Sequence, residues 1–486
     1  MKAQKKRKKN EKPQAKKGAL EQGSSLPPTK VEDNKNADDG RPLFWVSNDI
    51  ENGALFASLH HEQVKYVGTW KKWHDWTGSV WSEDVQAKAK CLAKKTAKLI
   101  RTEAWKSGSK DFIAHAKHSC SRNGVDAMLS MAESEERIRM NPDQFDRDPW
   151  LLNVANGTID LRTSVLREHR RKDYITKLVD VEYVPEAPRN QWDDFLEQMV
   201  PDPAVRDYLQ RSVGYTLTGL TDEQKFFLVF GRGASGKGTF IEAIDGIMGT
   251  YATVANFRLL LESRDNRFDM WRHAYSRMVS AQEVREGQKF DEATVKLMVG
   301  GDVQTAERKY CDQFQFTPLW TVWLGTNARP HIDARDDAMW RRLRIIPFTN
   351  SLPPEKRDAK VRVTLRSDRK VQKRILAWAV EGTRMWLKRR LDVDEPDAVK
   401  NAATEYMATS DNFAEFFTNT YEADPEGFVP SGTVHEKYST YCIENVENAI
   451  SPNEIARHLR DMHFESSRAR DGGDPVRGWR GFVPRP

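Results

Sequence analysis

Cysteine is scarce in this chain. Cys91, Cys120, Cys311 and Cys442 are scattered through 486 residues without any CxxC spacing, which argues against a disulfide framework or a structural zinc site and fits a reducing cytoplasm. His115, His118 and Cys120 stand close together but read as a polar helix face rather than as metal ligands. No apolar run approaches the ~20 residues of a membrane span, and the basic start has no apolar stretch behind it as a secretory signal would. No membrane partner is therefore expected. No repeat of fixed period occurs, which sets solenoids aside. A dominant charge of one sign is missing too: 77 Lys and Arg against 71 Asp and Glu leave a net charge of +6, so the chain as a whole is no basic glue for nucleic acid.

What is present divides into regions, and the length leaves room for two to four domains. Residues 1–42 are Lys-, Gln-, Asn- and Pro-rich with almost no large apolar side chains. Burial there cannot offset ordering entropy, so a disordered basic tail is expected, either solvated or a phosphate-seeking arm. Residues 43–189 read as an accessory domain. "TWKKWHDWTGSVW" predicts a hairpin turning near Thr77-Gly78, 84–139 predicts helices, and Asp148–Thr163 predicts short strands about Asn156-Gly157. Residues 190–390 carry amphipathic helices, then an ATPase-like pattern, and 391–486 hold short helices before a Gly- and Arg-rich end.

The chemistry begins at Phe226–Phe230, a buried-type strand, followed by Gly231-Arg232-Gly233-Ala234-Ser235-Gly236-Lys237-Gly238-Thr239 and a helix with Ile241, Ile244, Ile247 and Met248 on one face. Strand, glycine loop and helix form the setting in which backbone N–H groups and a helix N-terminus cradle phosphates while Lys237 reaches the β/γ oxygens. The hydroxyl that usually follows the lysine is replaced by Gly238 and comes one place later, so Thr239 is the candidate Mg²⁺ ligand, directly or through water.

Downstream, "MVSAQ" leads to Glu283, placed where a carboxylate could polarise the attacking water. Gly300-Gly301-Asp302 predicts a turn before the basic-aromatic cluster Arg308-Lys309-Tyr310. A strand at Trp320–Leu324 ends near Asn327, whose amide could hold that water, and Arg341-Arg342 precede a strand at Leu343–Phe348. Paired arginines can stabilise a phosphoryl-transfer transition state.

This order of motifs resembles the superfamily 3 helicases of phages and DNA viruses, within them the phage and plasmid primase–helicase group, over roughly residues 50–486. Glu283 lies 46 and Asn327 lies 90 residues after Lys237 (283 − 237, 327 − 237), the compact spacing of that family. The resemblance implies an α/β P-loop NTPase of AAA+-like type with a helical N-terminal region and a C-terminal winged-helix domain. Lys237 and Thr239 then carry the first motif, Glu283 the second, and Asn327 is the polar sensor. Arg341 or Arg342 is the finger entering the neighbouring subunit's ATP site. Gly300–Tyr310 becomes a pore hairpin gripping single-stranded DNA through Arg308 and Lys309, Pro452–Met462 a recognition helix, and Arg477–Phe482 part of the wing. Gln282 departs from the pattern, standing where many ATPases have a second acid.

The function implied is an ATP- and Mg²⁺-dependent DNA helicase, a hexameric homo-oligomer on single-stranded and forked DNA in the cytoplasm of a bacterial host cell. Priming would be left to a separate primase or polymerase. Two rivals are an origin-binding initiator that only switches on ATP, and a nucleotide kinase, whose loop "GASGKGT" resembles.

Overall fold

The computed structural model describes residues 47–256, 260, 270–282, 290–306, 314–330, 332, 336–410, 412–444, 451–471 and 474–485. The expected basic tail, Glu283, Arg308 and Lys309 lie outside the described residues.

The N-terminal unit packs helices Asp49–His60, Lys88–Ser107, Lys110–Ser119 and Arg122–Ala132 around Phe56, Leu92, Ile100 and Met128. Beside them lies a four-stranded sheet in which Lys72–Trp76 and Trp81–Glu83 pair with Trp76 opposite Trp81. The expected hairpin thus forms, its turn held by the Thr77 hydroxyl donating to the Val80 carbonyl at 3.0 Å. A three-stranded antiparallel sheet follows (Leu151–Val154, Gly157–Asp160, Val165–Arg167). Its residues Leu152, Val154, Ile159 and Leu161 are buried in the same core as the ATPase-like region. The region expected as one accessory unit, 43–189, therefore has two packing partners, because this second sheet has too few apolar residues to enclose a core alone.

The central sheet is five-stranded and wholly parallel: β1 (Phe226–Phe230), β2 (Ala252–Val254), β3 (Met278–Gln282), β4 (Thr321–Thr326) and β5 (Leu343–Pro347), in spatial order β5-β1-β4-β3-β2. Parallel strands need both faces covered, which accounts for the near-continuous apolar runs of β1 and β4. Phe227 and Val229 face one core, with Phe240, Ile241 and Ile244 of helix Lys237–Met248 and residues of helices Gln191–Met199, Pro203–Thr218 and Arg369–Arg389. Phe226 and Leu228 face the other, with Val295 and Met298 of helix Glu292–Gly300, Trp340, Ala402 and Tyr406. Arg277, fully buried just before β3, donates to the carbonyls of Leu217 (2.7 Å) and Leu151 (2.9 Å) and lies 4.5 Å over the Tyr251 ring, joining the small sheet to the central one.

The C-terminal unit has its own core of Phe413, Phe416, Tyr438, Leu459, Trp479 and Phe482. Its elements run helix Asn412–Thr420, strand Tyr421–Pro430, helices Ser431–Glu444 and Pro452–Asp461, and strands Glu465–Asp471 and Asp474–Pro484. The expected boundary after residue 390 does not match the packing: helix Asp397–Ser410 buries Ala402 and Tyr406 in the central domain. Arg477–Phe482 lies within the middle strand of the C-terminal sheet, with Trp479 and Phe482 in the core and Arg477 and Arg480 exposed.

Candidate functional site

The loop Gly231–Gly236 joins β1 to helix Lys237–Met248. Gly231 is required by a close approach: a Cβ there would sit 2.3 Å from the Phe348 carbonyl oxygen at the end of β5. Gly236 is left-handed (φ 81°) and presses on Met199, so it starts the helix without a side chain to cap it. The first helical bond runs from Phe240 N–H to Gly236 O at 2.9 Å. The amides of Lys237, Gly238 and Thr239 thus head the helix, where its dipole favours an anion. Ala234 is also left-handed (φ 61°), and its carbonyl accepts from Leu352 N–H at 3.1 Å.

Lys237 is buried and curls back into the loop. Its ammonium donates to Gly231 O (2.8 Å), Arg232 O (2.9 Å) and Ser235 Oγ (3.2 Å). Burial lowers its pKa, while three oxygen acceptors gather around the ammonium group. Gly238 and Thr239 are half-buried.

Sheet register decides what stands beside this loop. Thr326 of β4 pairs with Phe230, so Asn327, exposed, follows directly on β4 at the level where Gly231 follows on β1. The Thr326 hydroxyl donates to Ala328 O (2.7 Å) and accepts from Ala328 N–H (2.9 Å), fixing the turn. On β4's other side Gln282 pairs with Gly325, so β3 ends at the same level. Sequence reasoning missed two neighbours. Arg329 lays its guanidinium 4.7 Å over the Phe230 ring and 5.5 Å over Tyr406; its place two residues past Asn327 was the available signal. Asp245, on the loop helix, accepts from Ser280 Oγ at 2.8 Å, and burial pushes its carboxyl up to about 7. Nothing in the local sequence marks Asp245 as buried.

Arg341 and Arg342 stand elsewhere. Leu343 pairs with Phe226, the far end of β1, and the five residues from there to Gly231 span roughly 17 Å at strand rise. The paired arginines therefore do not face their own chain's loop. Arg341 is exposed; Arg342 is buried and donates to Ala338 O at 2.8 Å.

Between β3 and β4, Gln304–Ala306 and Phe314–Phe316 pair antiparallel, with Gln304 opposite Phe316. Helix Glu292–Gly300 precedes them and ends at left-handed Gly301 (φ 76°). The expected grip residues fall between those two strands, outside the described residues. Among the described residues no helix is long and apolar enough to cross a membrane.

A mixed α/β architecture with a central, wholly parallel sheet is thus the class that these features define. The family model "D5 N terminal like" matches residues 53–201, and "Family of unknown function (DUF5906)" matches residues 229–342. These matches, with the relatives below, support a likeness to the phage primase–helicase family. It is 27% identical over 213 residues to "Putative helicase L207/L206" of Acanthamoeba polyphaga mimivirus, covering 42% of this chain and 22% of that one. It is 21% identical over 424 residues to "Putative helicase 022R" of Frog virus 3 (isolate Goorha), covering 70% and 43%. The chain thus spans less than half the length of these relatives, which come from viruses of eukaryotes. In fold it is similar to the apo structure of the NrS-1 C terminal region, with a TM-score of 0.50 at 11% identity, covering 88% of this chain and 99% of that one.

Proposed function

We propose that this chain is an ATP-dependent DNA helicase of superfamily 3, a P-loop NTPase of AAA+-like type working as a homo-oligomeric ring, hexameric by the family's pattern, on single-stranded and forked DNA. The observation that carries the reading is the Thr326–Phe230 register, which brings the strand end before Asn327 level with the strand end before the loop, where Lys237 opens an uncapped helix. That arrangement suits a triphosphate: amide donors, a helix dipole and an ammonium converge from one side, and a neutral polar sensor stands at the neighbouring strand tip.

ATP supplies the phosphoryl group whose transfer to water drives stepping. In this reading the Lys237 ammonium turns from loop carbonyls to phosphate oxygens, and Thr239 is the hydroxyl for Mg²⁺, directly or through water. Glu283 orients the attacking water and takes its proton, with Asn327 holding the water from the other side. Arg341 is the finger in favour of Arg342, because it is exposed and remote from its own loop and so is available to a neighbouring subunit. Arg308 and Lys309, carried between the paired strands Gln304–Ala306 and Phe314–Phe316, are the proposed strand contacts in the pore. The C-terminal unit is read as a winged helix with Pro452–Asp461 as its recognition helix. The setting is the cell where a virus or mobile element replicates.

Strand displacement on a forked duplex tests this directly. ATP-dependent unwinding with DNA-stimulated turnover is expected. ATP binding without displacement would instead identify an initiator, and phosphoryl transfer to a nucleoside monophosphate a kinase.

A further inference from the structure

Helix Lys88–Ser107 of the N-terminal unit buries Leu92, Ala93, Thr96, Ala97, Ile100 and Ala104 and turns its other face to solvent. On that face Lys94, Lys98, Arg101 and Trp105 follow at steps of four, three and four residues, which aligns them in one stripe about 17 Å long. Trp105 is 65% exposed. Three other cations of this helix are paired, Lys88 with Asp75 at 3.0 Å, Lys90 with Asp126 at 2.6 Å and Lys106 with the helix's one acid, Glu103, at 2.7 Å, while Lys95, beside the stripe, makes no ion pair among the described residues. Lys94, Lys98 and Arg101 make no ion pair among the described residues. Unpaired cations in a row suit a phosphate backbone, and a bare indole at the end of the row suits an unpaired base. A duplex would offer the same charge but no open base face.

We propose that the Lys94–Lys98–Arg101–Trp105 stripe is a second single-stranded DNA contact, outside both the central domain and the C-terminal unit. The three cations take phosphates and the indole stacks on a base. Only the choice of DNA over RNA rests on the helicase reading.

The test uses the full chain without nucleotide and a fluorescein-labelled thymidine 30-mer, read by anisotropy across a salt series. Lys94→Gln/Lys98→Gln/Arg101→Gln keeps helix propensity. It should make the slope of log K against log salt shallower by about 2, since each single-strand phosphate contact contributes ~0.7. Trp105→Ala should weaken binding at least about five-fold. Unchanged affinity and slope in both variants overturn the proposal. So does a loss equal on a blunt duplex, or a loss seen only with anionic phosphatidylserine vesicles, which would assign the face to a lipid surface. Lys237→Ala separates this from the helicase reading: it should keep the stripe's binding even where turnover vanishes, and the triple Gln variant should keep DNA-independent turnover. Thermal melts of both stripe variants should match the parent, because the substituted side chains are exposed.

Discussion

The two ends of the central sheet differ in how their charges are satisfied. At the loop end, an uncapped helix start and a lysine held by its own backbone's oxygens stand beside an exposed amide. At the opposite end the cations are tightly matched. Arg344 pairs with Asp392 (2.7 Å) and Glu395 (2.9 Å), and Lys225 pairs with Asp392 (3.1 Å) and donates to Arg341 O (2.9 Å). Buried charges that are paired this way belong to the scaffold, since removing one partner strands the other. The amides of an uncapped helix start are instead available to something that arrives. The exception at the paired end is Arg341, exposed amid that network, and it is the residue that breaks the symmetry.

The sharpest way to break this contrast is Lys237→Ala. ATP turnover should fall to background while the melting temperature stays within a few degrees of the parent; retained turnover would empty the loop of its role. Next is Arg341→Ala, expected to cost about 10³-fold in turnover, the scale of an arginine supplied in trans. Mixing Lys237→Ala with Arg341→Ala subunits should restore part of the activity, because some mixed interfaces carry both intact groups. No restoration would return Arg341 to the scaffold. Asn327→Ala should lower kcat by about 10²-fold with little change in KM, as expected for a group acting on the transition state.

The smallest effect concerns Asp245. Its carboxyl titrates at about 7 in the folded protein, above the ordinary value of 3.8, so the folded state binds the proton more tightly than the unfolded one. Its contribution to stability is full below about pH 4 and is lost as pH rises through about 7. Asp245→Asn should remove that slope, so that between about pH 4 and pH 7 the parent's melting temperature falls relative to the variant's. Parallel curves would mean that Ser280 and the surrounding packing leave the carboxyl unperturbed.

How far these features are legible in the sequence depends on whether neighbours in the chain or neighbours in space decide them. The loop is legible because its strand, glycines and helix are consecutive, and the periodicity of Ile241, Ile244, Ile247 and Met248 reports a face that is in fact buried. Asn327 is legible as a strand tip, but its adjacency to Gly231 comes from sheet order, which no local pattern encodes. The same limit hides why Arg341 is exposed and Arg342 buried: two consecutive arginines differ only by which way the short helix Asp337–Trp340 turns them. Helix Asp397–Ser410 reads as polar and, by its place in the chain, as part of the C-terminal unit, yet Ala402 and Tyr406 suffice to seat it on the central sheet. Trp479 and Phe482 read as wing residues by resemblance, whereas the register shift between Arg480 and Gly481, with Gly481 left-handed (φ 106°), breaks the alternation and lets both rings, three residues apart, enter the core.

One contact at the loop end carries a mechanical implication. The Tyr406 hydroxyl donates to the Pro330 carbonyl, and Arg329 lies over the rings of both Phe230 and Tyr406. The helix bearing Tyr406 runs on toward the C-terminal unit. Tension transmitted along that helix therefore reaches the chain three residues past Asn327, coupling load on the C-terminal unit to the geometry of the strand tip.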